Sequence, residues 1–285
     1  MKHDEIGCFD ETLTRYNDAL EKLSSFGIRI SDSSRLRIYQ KRTETILEQP
    51  GDLLEVSQAD SDSMTFYFRE MDELIFIINS FTDEPTPQEL ERLRLLPGGT
   101  ENPNDETSTK ARDAQFELFL RAMFIQANFS IEMGAPDLLL SDGHITFSIE
   151  AKRPGSHRRF DDRLREAVNQ LHSQKNWGIA AISLDHVIRP RGGYLVVREH
   201  VYLAEAVAGL LHSYVMENLR DIGNRLTGKS NVSALLFILR IPAKVQETNL
   251  TLLGSNIHIV PVSEEDQPGF EVVQALSQIL KGVHI

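Results

Sequence analysis

One stretch in the middle of the chain constrains the fold more than any other. Two apolar runs, 136–141 and 144–152, are separated by Asp142-Gly143. Asp-Gly between alternating apolar residues is a strong short-range signal for a β-hairpin. A two-residue turn sets Ser141 opposite His144, Leu140 opposite Ile145, Leu138 opposite Phe147 and Pro136 opposite Ile149. That face is wholly apolar, as a register with one buried side requires. The other face carries Asp137 against Ser148 and Leu139 against Thr146, with Glu150 and Lys152 further along the second strand. Asp137 and Glu150 are then diagonal neighbours, with Cβ atoms roughly 7–8 Å apart or somewhat closer.

Two carboxylates at that spacing can share one hard divalent cation, and Mg²⁺ typically takes one or two carboxylates and keeps several waters. Lys152 reaches the same space and can orient a metal-bound water or help deprotonate it. The competing expectation is a solvent-facing strand carrying an ordinary Glu–Lys pair.

The 285 residues suit one large domain or two modest ones, and 41% hydrophobic content is ample for a core. Apolar periodicity predicts helices over 9–24 and 35–48, and a core helix over 64–81. The run 97–109 is rich in Pro, Gly, Asn and Thr and reads as a linker, dividing a mainly helical region, 1–109, from a second one, 110–285. Beyond it come a helix over 112–127, apolar almost all round and therefore buried, and strands over 129–133, 136–141 and 144–152. A helix over 160–174 and a strand over 178–183 follow. The last elements are a helix over 201–222, strands over 232–241 and 256–262, and a helix over 270–281. This order predicts an α/β sandwich around a mixed sheet.

The net charge of −12 argues against a simple basic coat for nucleic acid or for an anionic membrane. Resolved by segment, residues 1–109 hold 11 Lys+Arg against 23 Asp+Glu, whereas 150–200 hold 10 against 6. The asymmetry suggests separate tasks for the two parts: an acidic region for partner binding or regulation, with a solvated acidic helical surface as the plain alternative, and a positive segment at the hairpin. The single cysteine, Cys8, rules out an internal disulfide framework and suits a reducing cytoplasm. The opening residues, 1–10, carry three acids and predict no signal peptide. No apolar run approaches the roughly 20 residues needed to span a bilayer.

At the hairpin the sequence resembles the PD-(D/E)xK nuclease superfamily. The matching residues are Pro136-Asp137, twelve intervening positions, and Glu150-Ala151-Lys152. The order of elements over 112–183 matches that superfamily's core. The resemblance implies a restriction-endonuclease-like fold, with Asp137 and Glu150 as ligands of Mg²⁺ (or Mn²⁺) and Lys152 positioning the attacking water. It further implies an acidic residue on the preceding helix, the slot of Glu117, for which a salt bridge to Arg121 at i+4 is the plain alternative. Gln170 matches a glutamine that several members carry on the following helix. The Gln-x-x-x-Tyr pattern of RecB-related domains is absent, because position 174 is Gln174.

The positive segment contains Arg153, Arg158, Arg159, Arg163, Arg165, Lys175, Arg189 and Arg191. Phosphate contacts need such cations, and Arg153, Arg158 and Arg159 are the candidates nearest the hairpin. The expected activity is metal-dependent hydrolysis of phosphodiesters by an endonuclease acting on DNA rather than RNA, in a restriction or phage-defence setting. The acidic region would dock a protein partner, form a homo-oligomer or restrain the nuclease. The alternative is a non-catalytic interaction or nucleic-acid-binding protein that retains the fold. No Walker loop and no His-Glu-x-x-His motif is present.

Overall fold

The structure is a computed structural model describing residues 9–47, 58–101, 108–141, 143–190, 193–226, 228, 231–248, 250–264, 267 and 269–279. Cys8, Asp142, Arg191 and part of the expected linker (102–107) lie outside the described residues. The helices are α1 Phe9–Ser25, α2 Arg35–Leu47, α3 Gln58–Asn79, α4 Pro87–Leu95, α5 Lys110–Gln126, α6 His157–His172, α7 Leu203–Leu226 and α8 Phe270–Ile279. The strands are β1 Ser130–Met133, β2 Leu138–Ser141, β3 Thr146–Lys152, β4 Gly178–Ser183, β5 Leu195–Val197, β6 Val232–Val245 and β7 Leu250–Pro261. Among the described residues no helix is long and apolar enough to cross a membrane.

The sheet has seven strands and is mixed. β1, β2 and β3 run antiparallel in sequence, β3 and β4 are parallel, and β4 and β5 both lie parallel to β6, which β7 flanks antiparallel. Alternation sorts side chains into two cores. Phe147, Ile149, Ala151, Ile179, Ala181, Leu236 and Ile238 share one with apolar residues of α1–α5 and α8. Ala180, Ile182, Leu235 and Phe237 share the other with α6 and α7. Strands covered on both sides are apolar at successive positions, as in Leu235-Leu236-Phe237-Ile238.

The hairpin register differs from the expected one. Leu138 pairs with Ile149, Leu140 with Phe147 and Ser141 with Thr146, so each residue of β2 meets a partner two places further along. The connection is four residues, 142–145, rather than two. Ser141 Oγ accepts from the Gly143 amide (3.2 Å) and lies 3.3 Å from Thr146 Oγ1, while Ile145 turns onto the core instead of pairing with Leu140. A slip of two conserves side-chain parity, so every face assignment survives.

Two elements lie outside the sequence expectations: the edge strand β5, only three residues long, and helix α4. The α4 start is a capping box. Thr86 Oγ1 accepts from the Glu89 amide and the Glu89 carboxylate accepts from the Thr86 amide, with Pro87 at the first turn.

A buried ionic network joins the N-terminal helices to the sheet. Arg153, following β3, donates to both oxygens of Glu73 on α3 (2.8 and 2.6 Å) and to Asp185 after β4 (2.8 Å). Arg240 of β6 reaches Glu73 as well (3.0 Å), and Glu70 receives Arg112 of α5 (2.8 Å) and Arg35 of α2 (3.2 Å). The Arg35, Glu70, Glu73 and Arg153 side chains are at most 1% exposed. Charges so buried are tolerable only when paired and hydrogen-bonded, and removal of one partner strands the other.

Candidate active site

Strand β3 places Ser148, Glu150 and Lys152 on the face toward α6, where Ala180 and Ile182 of β4 are their neighbours. The strand does not face solvent: Glu150 is 3% exposed and Lys152 7%. Extending the observed register by one pair puts Asp137 directly opposite Glu150 rather than diagonal to it. Asp137 is fixed there because its Oδ2 accepts the Ala151 amide at 2.9 Å, across the hairpin.

The Lys152 ammonium lies 3.7 Å from Glu150 Oε2, 3.8 Å from Asp137 Oδ2 and 4.0 Å from Glu166 Oε1 of α6. None of these is a direct hydrogen bond, and such spacings suit a bridging water. Glu150 Oε2 is buried without a hydrogen-bond partner. Burial, and then the neighbouring Asp137 carboxylate, push the Glu150 pKa up to about 8, against the pull of Lys152. Glu117 is raised to about 7 by the same two causes in the same order, with Arg92 opposing. Asp113, at the start of α5, is raised by burial although Thr109 donates to it at 2.6 Å. Carboxyl groups with pKa values raised this far are unusual outside functional sites.

Glu117 does not form the i+4 pair with Arg121. Both reach across to α4 instead, Glu117 to Arg92 and Arg121 to Glu89. No family model, curated protein or solved structure matches this chain. The site therefore stands on its own geometry.

That geometry brings together Asp137, Glu150 and Lys152, with Glu117 close enough to feel the Asp137 charge. Gln170 is exposed on α6, one turn beyond Glu166. Arg153 is not available to substrate, because its guanidinium is enclosed by Glu73 and Asp185. Arg158 and Arg159 are exposed, in the first turn of α6 rather than in a loop before it. Two residues missing from the sequence expectations adjoin the site, Glu166 and Arg92, together with Arg163 of the positive segment. Arg163 links Glu166 (2.8 Å) to Thr109 Oγ1 (2.6 Å), tying α6 to the start of α5. The capping-box spacing Thr86-x-x-Glu89 marks α4 in the sequence and with it Arg92; Glu166 has no comparable signal.

Among the described residues no three His, Cys, Asp or Glu side chains gather closely enough to enclose an ion by themselves. Asp137 and Glu150 nevertheless fit a hydrated Mg²⁺, which needs only one or two carboxylates. Glu150 Oε2 has no hydrogen-bond partner, and Lys152 at 3.7 Å does not offset the effect of burial and Asp137 on its ionisation.

Proposed function

We propose that this chain is a metal-dependent nuclease of the PD-(D/E)xK kind, with a restriction-endonuclease-like core, acting as an endonuclease on DNA. The observation that carries the reading is the Asp137–Glu150 pair, Glu150 buried and Asp137 partly so, with the Lys152 ammonium within 4 Å of both. Two carboxylates facing each other out of water cost several kcal/mol unless a cation joins them. The core order of helix, three antiparallel strands, crossover helix and parallel strand, α5 to β4, adds to the reading.

Asp137 and Glu150 would hold Mg²⁺ or Mn²⁺, which when bound lowers the pKa of water and offsets charge on the phosphate. The protein's part is positional. The Ala151 amide aims Asp137, and the strand pairing aims Glu150 at it. Lys152 lies between the two carboxylates and holds the attacking water through its N–H donors. Arg158 and Arg159 stand exposed at the amino end of α6, where helix N–H groups also favour phosphate. No covalent intermediate with the protein is required.

The test is cleavage of plasmid and single-stranded DNA, and of RNA, with Mg²⁺, with Mn²⁺ and with EDTA. Wild-type protein is expected to nick or cut DNA only with metal, and Glu150→Ala and Lys152→Ala are each expected to reduce the rate at least a hundredfold. Activity that survives both chelation and Glu150→Ala overturns the assignment. Metal binding without cleavage of any substrate favours the non-catalytic alternative.

A further inference from the structure

Helices α4 and α5 meet through two salt bridges of opposite polarity, Glu89–Arg121 and Arg92–Glu117. The first is a packing device. Both side chains are 10% exposed, the Arg121 guanidinium lies over the Phe81 ring at 4.0 Å, and it also donates to Ser80 Oγ at 3.0 Å. Leu93 and Leu96, fully buried, anchor α4 as well.

The second bridge is placed differently. The Arg92 side chain is 23% exposed, about twice its partner. Its Nη2 lies 3.4 Å from the Gly134 carbonyl, in the segment leading to Asp137. A guanidinium has five donors in a planar fork, and these contacts engage only the Nε and Nη2 side of it. With side chains 23% and 11% exposed, this pair is partly buried and also helps pack α4 on α5. Its position does more, because a polyanion approaching Asp137, Glu150 and Glu117 must be met by cations. Lys152 is enclosed, and Arg158 and Arg159 stand on α6, over one face of the sheet. Arg92 comes from α4, which packs on α5 over the other face.

We propose that Arg92 is a phosphate-binding residue of the site, donating to a backbone oxygen of bound DNA. The N-terminal helical region thereby completes the substrate surface. This inference rests on the nuclease reading.

The experiment measures binding of a short labelled duplex to the full chain in EDTA across a salt series, with thermal unfolding recorded for every variant. Arg92→Ala is expected to lower the slope of log affinity against log salt by about one. Arg92→Lys is expected to keep most of that slope. Glu117→Gln breaks the same salt bridge but leaves the guanidinium, so it is expected to bind duplex at least as tightly as wild type. If Arg92→Ala and Glu117→Gln weaken binding alike with matching losses of melting temperature, the bridge is only a structural tie and the proposal falls. An unchanged slope in Arg92→Ala also overturns it. Calorimetric titration of Mn²⁺ separates the two levels: metal uptake at Asp137 and Glu150 with a failed Arg92 prediction leaves the nuclease reading standing. No metal uptake and no duplex binding by wild type removes both.

Discussion

Glu150 is held in a state that its own chemistry resists. Burial and Asp137 together raise its pKa from an ordinary 4.5 to about 8, so the metal-free folded protein retains a proton that the unfolded chain releases. A group whose folded pKa is raised contributes stability that is complete below the unfolded value and lost as pH rises through the folded one. Metal-free protein is therefore expected to lose stability between about pH 4.5 and 8, with Glu117 adding to the loss up to about 7. Buried His186, whose pKa is lowered by burial and then by Arg69, acts in the opposite direction, its contribution being lost as pH falls below 6.5. Comparing Glu150→Gln with wild type isolates the carboxyl group. Denaturant titration in EDTA should show the variant gaining on wild type, by roughly 1–3 kcal/mol at pH 8 relative to pH 5. A pH-independent difference would contradict this account. Mg²⁺ should restore wild-type stability at pH 8 and release protons in doing so.

At the scale of single elements, the hairpin shows what a sequence makes legible and what it hides. Asp-Gly marked the turn but not its length, because the side-chain contacts of Ser141 and Ile145 selected a four-residue connection. The polar face was still assigned correctly, since only an odd slip would exchange the two faces. Burial of that face was not legible, because it depends on α6 crossing over β3. Arg153 illustrates the same limit: next to Lys152 in a basic run it reads as a phosphate contact, yet its partners lie 80 and 32 residues away. Helix α4 was not expected, although the Thr86-x-x-Glu89 spacing of its capping box stands in the sequence. Thr86→Ala is expected to cost about 1 kcal/mol, seen as a lower denaturant midpoint with an unchanged slope. Breaking the buried Glu89–Arg121 bridge with Glu89→Ala should cost more, about 3 kcal/mol, by leaving Arg121 unpaired.

For the whole molecule, the charge asymmetry between the two halves is partly an account of who pairs with whom. Glu70, Glu73 and Glu89 belong to the acidic first segment, and they neutralise Arg112, Arg153, Arg240 and Arg121 from the rest of the chain. One apolar core likewise runs from Tyr16 and Leu74 through Phe119 to Ile149 and Leu236. A chain starting at Lys110 would expose that core and strand several buried arginines. It is expected to lack a cooperative unfolding transition by circular dichroism. A well-folded fragment with full affinity for DNA would show instead that the first segment is dispensable.

The proposed chemistry needs Asp137 and Glu150 to form one cation site. Its most direct test is a crystal of the full chain soaked in Mn²⁺ and measured for anomalous scattering. The expected result is a single strong peak bonded to both carboxylates, absent in Glu150→Ala, with Lys152 beside the metal's water shell. A peak elsewhere, or none at saturating Mn²⁺ with both carboxylates ordered, would contradict it.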